Sequence, residues 1–199
     1  MPQFDLRGIK VAKYEVNNGA ITHGTAMSAG DAMTATLEMR YAEGRLYAES
    51  TLAEYMRKAI GGMISLSVKY IPAATQQLMF GSRANSRSVT YIPAGGSTTT
   101  ASISGLVLGA KTDSVYVSVA FYAPDMVDGV LKYTCVYIAK ALFGPPSIAL
   151  QTAGDSIQFN TPTTSGEFLA DDSSNQDMIE VAIADSEEAA IAWVAAALA

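Results

Sequence analysis

The 199-residue chain has one cysteine, one histidine and few bases, 13 Lys and Arg against 19 Asp and Glu. Each scarcity excludes a class of chemistry. A lone Cys135 can form neither an internal disulfide nor a cysteine-based zinc cluster, and it fits synthesis in a reducing compartment. A formal charge of −6 leaves too few cations to neutralise a run of phosphates, so the surface is expected to repel DNA rather than hold it. The start, Met1-Pro-Gln-Phe-Asp-Leu-Arg7, lacks the basic stretch and apolar run of a signal peptide. No uninterrupted apolar segment approaches the ~20 residues that a membrane-spanning helix needs. The expectation is a soluble protein made inside the cell, with no membrane insertion.

Recognisable catalytic patterns are equally scarce. His23 would have to serve as the base of any Ser-His-Asp triad, yet it sits in Thr22-His-Gly-Thr25, and no Gly-x-Ser-x-Gly elbow exists. Cys135 lies in a strand pattern, where a buried small hydrophobe is the simpler reading than a nucleophile. Glu167, Asp171 and Asp172 cluster, and paired acids can hydrolyse glycosides or hold a hard cation, but their spacing matches no calcium loop and suits a solvated turn. Gly95-Gly-Ser-Thr-Thr-Thr100 lacks the Gly-Lys-Ser/Thr ending of a phosphate loop and reads as a short flexible loop. Arg83 and Arg87, with Tyr91 nearby, form only a weak basic patch, read as a loop making an intersubunit salt bridge or none. No enzyme activity, cofactor or metal is expected.

What the chain does have is apolar content, 49% hydrophobic against 16% charged, enough for one domain with a sizeable core. Side-chain character alternates over much of Ser114 to Pro146 and breaks at Ala123 to Gly129, predicting two long antiparallel strands around a loop. Strands of this length leave unpaired backbone edges unless a neighbour covers them, so an identical partner is expected. Thr34 to Tyr41 alternates cleanly, with Ala35, Leu37, Met39 and Tyr41 on one face and Thr34, Thr36, Glu38 and Arg40 on the other. Met63 to Tyr70 does the same, and the two strands are candidate neighbours. Between them Ala42 to Gly62 reads as a loop, long enough to suggest a job.

Pro72 to Gly81 predicts a short helix, with Pro in its first turn and Gly past its end. Further strands are expected at Ser88 to Ile92, at Ile157 to Thr161 and at Ile179 to Ile183. A terminal helix is expected over 185–198, with Asp185 and Glu188 at capping-box spacing and Ile191, Val194, Ala195 and Leu198 on the apolar face, widened by Trp193. Residues 1–33 read as an arm followed by an edge strand. The order of elements predicts a mainly β (α+β) fold, a sandwich or barrel with a short central helix and a C-terminal helix.

Several segments together resemble a known family. Tyr41-Ala-Glu-Gly-Arg-Leu-Tyr-Ala-Glu-Ser50 leading into Gly61-Gly-Met-Ile-Ser-Leu-Ser-Val68, and Val119-Ala-Phe-Tyr-Ala-Pro-Asp125 leading into Lys132-Tyr-Thr-Cys135, are similar to the major tail proteins of long-tailed bacteriophages. The likeness continues through Ala141-Leu-Phe-Gly-Pro-Pro146, Gly154 to Thr163 and Gly166-Glu-Phe-Leu-Ala-Asp-Asp172. Resemblance to these tail tube subunits, chiefly of phages with non-contractile tails on Gram-positive hosts, implies a single tail-tube domain over 1–199. It implies a structural virion protein that self-assembles into stacked hexameric rings, the conduit for genome delivery, located in the virion tail and assembled in the host bacterial cytoplasm. The partners so implied are further copies of itself, a tape measure protein and a tail terminator, with DNA passing through the lumen without specific binding. By the same resemblance the arm (1–18) and the long loop (42–62) would grip neighbouring rings, with Glu43, Arg45, Tyr47, Glu49, Glu54, Tyr55 and Arg57 as contact candidates.

DNA must slide along such a wall without sticking, which favours a polar, slightly negative surface. Thr36, Glu38, Ser65 and Ser67, on the wet faces of the alternating strands, are the candidate lining residues. Those faces are lumen or outer surface by sequence, and Arg40 and Lys69 count against a uniformly acidic wall. Two other readings stand beside this one. A small β-barrel module holding an apolar ligand would account for the tyrosine-rich strands. A carboxylate-dependent hydrolase would use Glu167 and Asp171.

Overall fold

Residues 117–125 are buried without a break, and that run sets the architecture of a computed structural model, which describes residues 5–48, 50–110, 112–147 and 161–199. A strand buried on both faces needs a layer on each side. β1 (Arg7–Asn17), β2 (Ala20–His23) and β3 (Met27–Ser28) are followed by the long pair β4 (Ala32–Ala48) and β5 (Thr51–Val68). Then come α1 (Ala73–Phe80), β6 (Arg83–Tyr91), β7 (Thr99–Val107), β8 (Val117–Val127), β9 (Val130–Phe143), β10 (Thr163–Leu169), β11 (Ile179–Ala184) and α2 (Glu187–Ala197). The fold is mainly β with two helices, as the sequence predicts.

The main antiparallel sheet runs β2-β1-β8-β9-β10-β5-β4, with β3 on β1 and β11 on β9. One edge of β9 is filled by β8, the other by β11 along Tyr133–Ile138 and then by β10 along Lys140–Phe143. Wrapping of this sheet encloses a core of Ile9, Val11, Ile64, Leu66, Val68, Val117, Val119, Ile138, Phe143 and Phe168, closed at one end by Met79 and Phe80 of α1. On the opposite face Ala12, Ala120, Tyr122 and Cys135 meet Ala190 and Val194 of α2 and Leu198 at its C-cap. The small side chains at 12, 120 and 190 let the helix lie close against the strands.

Several expectations change here. Arg7–Asn17 is no arm but a strand inside the sheet, because Ile9, Val11, Ala12 and Tyr14 face two different layers and so lack simple alternation. No loop opens at Ala123: β8 continues to Val127, and Asp128 and Gly129, at φ 51° and 80°, make the two-residue turn. Pro124 is tolerated since it lies beyond the last β1 rung, Arg7 opposite Tyr122, and its missing N–H removes no bond to β1. The segment 42–62 is not a loop either but the outer half of the β4–β5 hairpin, paired through Ala48 opposite Thr51.

Ser165 to Leu169, expected in a turn, belongs to β10, and Arg83 and Arg87 lie in β6, whose partner β7 the sequence did not suggest. α2 is capped by Ser186, whose Oγ accepts from Ala189 N–H at 3.2 Å, not by Asp185. Its buried stripe is Ala190, Val194 and Leu198, with Ile191 and Ala195 exposed. The strand expected at Ile157 to Thr161 falls, apart from Thr161, outside the described residues.

Two details hold the sheet in register. β9 carries an extra residue near Ala139 opposite Ser118, a bulge at which the Ala139 N–H and C=O both find partners. Ser118 Oγ donates to the Ala139 carbonyl at 2.6 Å, and Ala139 N–H donates to the Met178 carbonyl at 3.1 Å. At Gly62 a Cβ would overlap the Phe168 ring and the Glu38 carbonyl, so the glycine is where β10 lays its aromatic side chain across β5.

Ser118→Ala strands that buried carbonyl and is expected to cost about 1–3 kcal/mol in urea unfolding, more than its lost volume would. Gly62→Ala is expected to cost a similar ~1–3 kcal/mol by forcing Phe168 out of place, and Phe168→Leu in the same chain should recover part of it.

Candidate functional site

The outer face of β4, β5 and β10 is built in three registered rows. Ser67 of β5 pairs with Thr34 on one side and Thr163 on the other, Ser65 with Thr36 and Ser165, and Met63 with Glu38 and Glu167. Alternation dictates this, since Ala35, Leu37, Ile64, Leu66, Thr164 and Phe168 point the other way, toward the core. The four residues singled out in the sequence, Thr36, Glu38, Ser65 and Ser67, therefore share one surface. Thr34, Thr163, Ser165 and Glu167 extend it, and those from β10 were missed because that strand read as a turn.

The charges on this surface nearly cancel. Arg40 donates to Glu167 Oε1 at 2.8 Å, leaving Glu38 as the unpaired charge of the three, and Lys69 sits 3.7 Å from Asp31. Hydroxyls do the rest: Thr163 Oγ1 donates to Ser67 Oγ at 3.3 Å, and Thr161 Oγ1 lies 3.4 Å from the same atom. The result is a neutral-to-negative wall mostly of short polar side chains, interrupted by Met63, on which Arg40 and Lys69 each have an acid within 4 Å.

Beyond Gly61 the β4–β5 hairpin leaves the body as a two-stranded ribbon. Glu43 holds one side of it, 3.6 Å from Arg57 and 3.5 Å from Arg45, and its hydrogen bond to the Tyr55 hydroxyl pushes that phenol's pKa upward. Arg57 lies over the Tyr41 ring at 3.6 Å and Arg45 over Tyr55 at 5.6 Å. Much of the remaining surface is apolar and exposed, with Met56 at 74%, Tyr47 at 62% and Leu46 at 58%. Of the seven contact candidates, Glu43, Arg45, Tyr47, Glu54, Tyr55 and Arg57 sit on this ribbon, and Glu49 lies outside the described residues.

Other candidate groups are held apart. Cys135 is buried, and burial pushes its thiol pKa up, away from the nucleophilic thiolate. His23 lies 3.1 Å from the Tyr137 hydroxyl and 3.2 Å from the Ala199 carbonyl oxygen. Glu167 is engaged by Arg40, whereas Asp171 Oδ1 accepts from the Ser173 N–H and hydroxyl and from Asp177 N–H, shaping a turn. The space enclosed by the wrapped sheet is filled by the core side chains. An open groove of about 410 Å³ between β4 and the β8–β9 face has Leu37, Phe121 and Val136 among its lining, with Asp5, Thr34, Thr36 and Thr134 beside them. Among the described residues no group of three or more His, Cys, Asp or Glu side chains is placed to hold a metal ion, and no helix is long and apolar enough to cross a membrane.

Two ionic clusters tie the C-terminal layer to the sheet. Lys140 donates to Asp172 Oδ2 at 2.8 Å, and Tyr14 Oη donates to the same oxygen at 2.8 Å while accepting from Asp172 N–H. Arg7 and Tyr122 both donate to Glu187 Oε1 in the first turn of α2. No protein-family model matches this chain, and no curated protein matches it.

The Lys140 hydrogen bond, then that of Tyr14, holds the Asp172 carboxyl below its ordinary value, and Arg7 followed by Tyr122 does the same for Glu187. Groups depressed in the folded state stabilise it above their unfolded pKa and lose that contribution as pH falls through the folded value. Stability is therefore expected to decline below about pH 4, read as a falling urea midpoint in the fluorescence of Trp193, the one tryptophan, which packs in this layer. Lys140→Met should flatten part of that acid slope.

Proposed function

We propose that this chain is the tail tube subunit of a long, non-contractile bacteriophage tail, a virion protein that self-assembles into stacked hexameric rings through which the genome is delivered. The observation that supports this most is the outer edge of β4. Over Ala32–Ala48 it pairs with β5 alone among the described residues, so 17 residues present one unpaired backbone edge. An edge of that length invites another strand, and joining it to a different edge of an identical copy closes a ring in which it is no longer exposed.

The position of the hydroxyl wall fits the same reading. It lies on the strands that end at the free edge, so joining copies there carries the wall around the ring as a continuous lining. Short neutral side chains with a small acidic excess repel a passing polyanion weakly and bind it nowhere. The exposed β4–β5 ribbon would then reach a neighbouring ring, since a lone two-stranded ribbon is marginal in water and gains from being covered. In such a tail the further partners are a tape measure protein within and a terminator at the end.

Negative-stain electron microscopy of the purified chain tests this directly: rings and tubes are expected, and persistent monodisperse monomer at high concentration overturns it. Met56→Asp at the exposed ribbon should shift folding stability by no more than ~0.5 kcal/mol yet abolish or shorten tubes. Tubes of unchanged length in that variant would take the ribbon out of the ring-to-ring contact.

A further inference from the structure

Charge is segregated along the chain. From Tyr55 to Thr112 there is no Asp or Glu but six bases, Arg57, Lys58, Lys69, Arg83, Arg87 and Lys111. Beyond Lys140 there is no Lys or Arg but nine acids. Two of the bases, Arg57 and Lys69, are balanced by acids outside the basic span, Glu43 and Asp31. Arg83 and Arg87 make no ion pair among the described residues, and neither do Asp177 and Glu180 on the acidic side.

The structure puts these unspent charges on different sheets, the bases on the separate β6–β7 ribbon and the acids beside β9 of the main sheet. Arg83 and Arg87 lie on one face of the β6–β7 ribbon, four residues and so ~13 Å apart, beside Tyr91 and Ile103, which are 48% and 58% exposed. The opposite face is a ladder of small hydroxyls in which Ser86 meets Ser102 and Thr90 meets Thr100. The ribbon follows α1 from the end of the sheet marked by Val68. Glu180 pairs with Tyr137, six residues back along β9 from Phe143 at that same end, ~20 Å away by strand rise.

We propose that the Arg83 and Arg87 face of the β6–β7 ribbon docks on the acidic margin carrying Asp177 and Glu180 in a second copy of this chain. The proposal takes its occupant from the self-assembly reading above. Two unlike surfaces at separate places on one molecule make a heterologous contact, which propagates head to tail and gives a stack its polarity. The opposing charges steer and align the copies, and Tyr91 and Ile103 supply the apolar contact. Nucleic acid is the poorer occupant, because two arginines on a chain of charge −6 neutralise too few phosphates.

The test uses the full chain in three variants: R83E/R87E, D177K/E180K and the quadruple combination, each checked for an unchanged unfolding midpoint. Sedimentation velocity should show each double variant associating at least about tenfold more weakly than wild type, and the quadruple variant recovering most of the loss, as expected of a charged contact. Wild-type association should also weaken between about 50 mM and about 500 mM sodium chloride, as the Debye length shrinks. Wild-type assembly that is indifferent to both double variants, or a quadruple variant no better than either, overturns this contact and leaves the tube reading standing. A wild type that stays monomeric at low salt overturns both. Fluorescence anisotropy with duplex and single-stranded oligonucleotides covers the other occupant: binding by wild type that R83E/R87E abolishes, with association unchanged, assigns the ribbon to nucleic acid instead.

Discussion

Everything in this molecule is referenced to β8 and β9, two strands whose middle stretches are covered on both faces. Because Val117 to Asp125 is buried throughout, neither face can be left to solvent, and the chain must supply a layer on each side. Wrapping the sheet supplies one of them, and α2 supplies the other. β9 is the more constrained of the pair, since three strands bond to its two edges and its single bulge must be satisfied by a buried serine and by the Met178 carbonyl. A polar group left unmade at that depth would cost more than the bond contributes, which is why this part of the sheet has one register.

Burial at the centre contrasts with the periphery. The outer edge of β4, the β4–β5 ribbon and the β6–β7 ribbon expose backbone, tyrosines and aliphatic side chains that a self-contained domain would cover or blunt with charge. The contrast separates two parts of the molecule. The layers around β8 and β9 hold the buried residues, and the ribbons lie outside them with their apolar side chains exposed. The near-neutral hydroxyl wall belongs to neither group, being solvated, registered and ion-paired within one chain.

How far the sequence reveals this depends on how simply each strand alternates. Thr34 to Tyr41 and Met63 to Tyr70 face one core and one solvent layer, so their partnership and their wet residues could be read directly. β1 could not, because Val11 and Ala12 are adjacent residues serving opposite cores, and a period of two disappears when both faces are apolar. β10 was hidden by Gly166 and the acids after it, which resemble a turn until Phe168 is seen to need the gap at Gly62. The hairpin over 42–62 was hidden by its exposure: with no buried face, Glu, Arg and Tyr give no hydrophobic period. The pairing of Arg40 with Glu167 across 127 residues has no local signal at all.

The glycine pair at the root of the long hairpin has a mechanical side. Past Gly61 the two strands run on unsupported for some ten residues, ~30 Å, like a cantilever clamped where Phe168 crosses Gly62. Leverage follows from that length: a swivel of about 5° at the clamp displaces the far end by about 3 Å, on the scale of a strand's rise per residue. A small rotation at the base is thus magnified along the ribbon, while the sheet behind the clamp keeps its register.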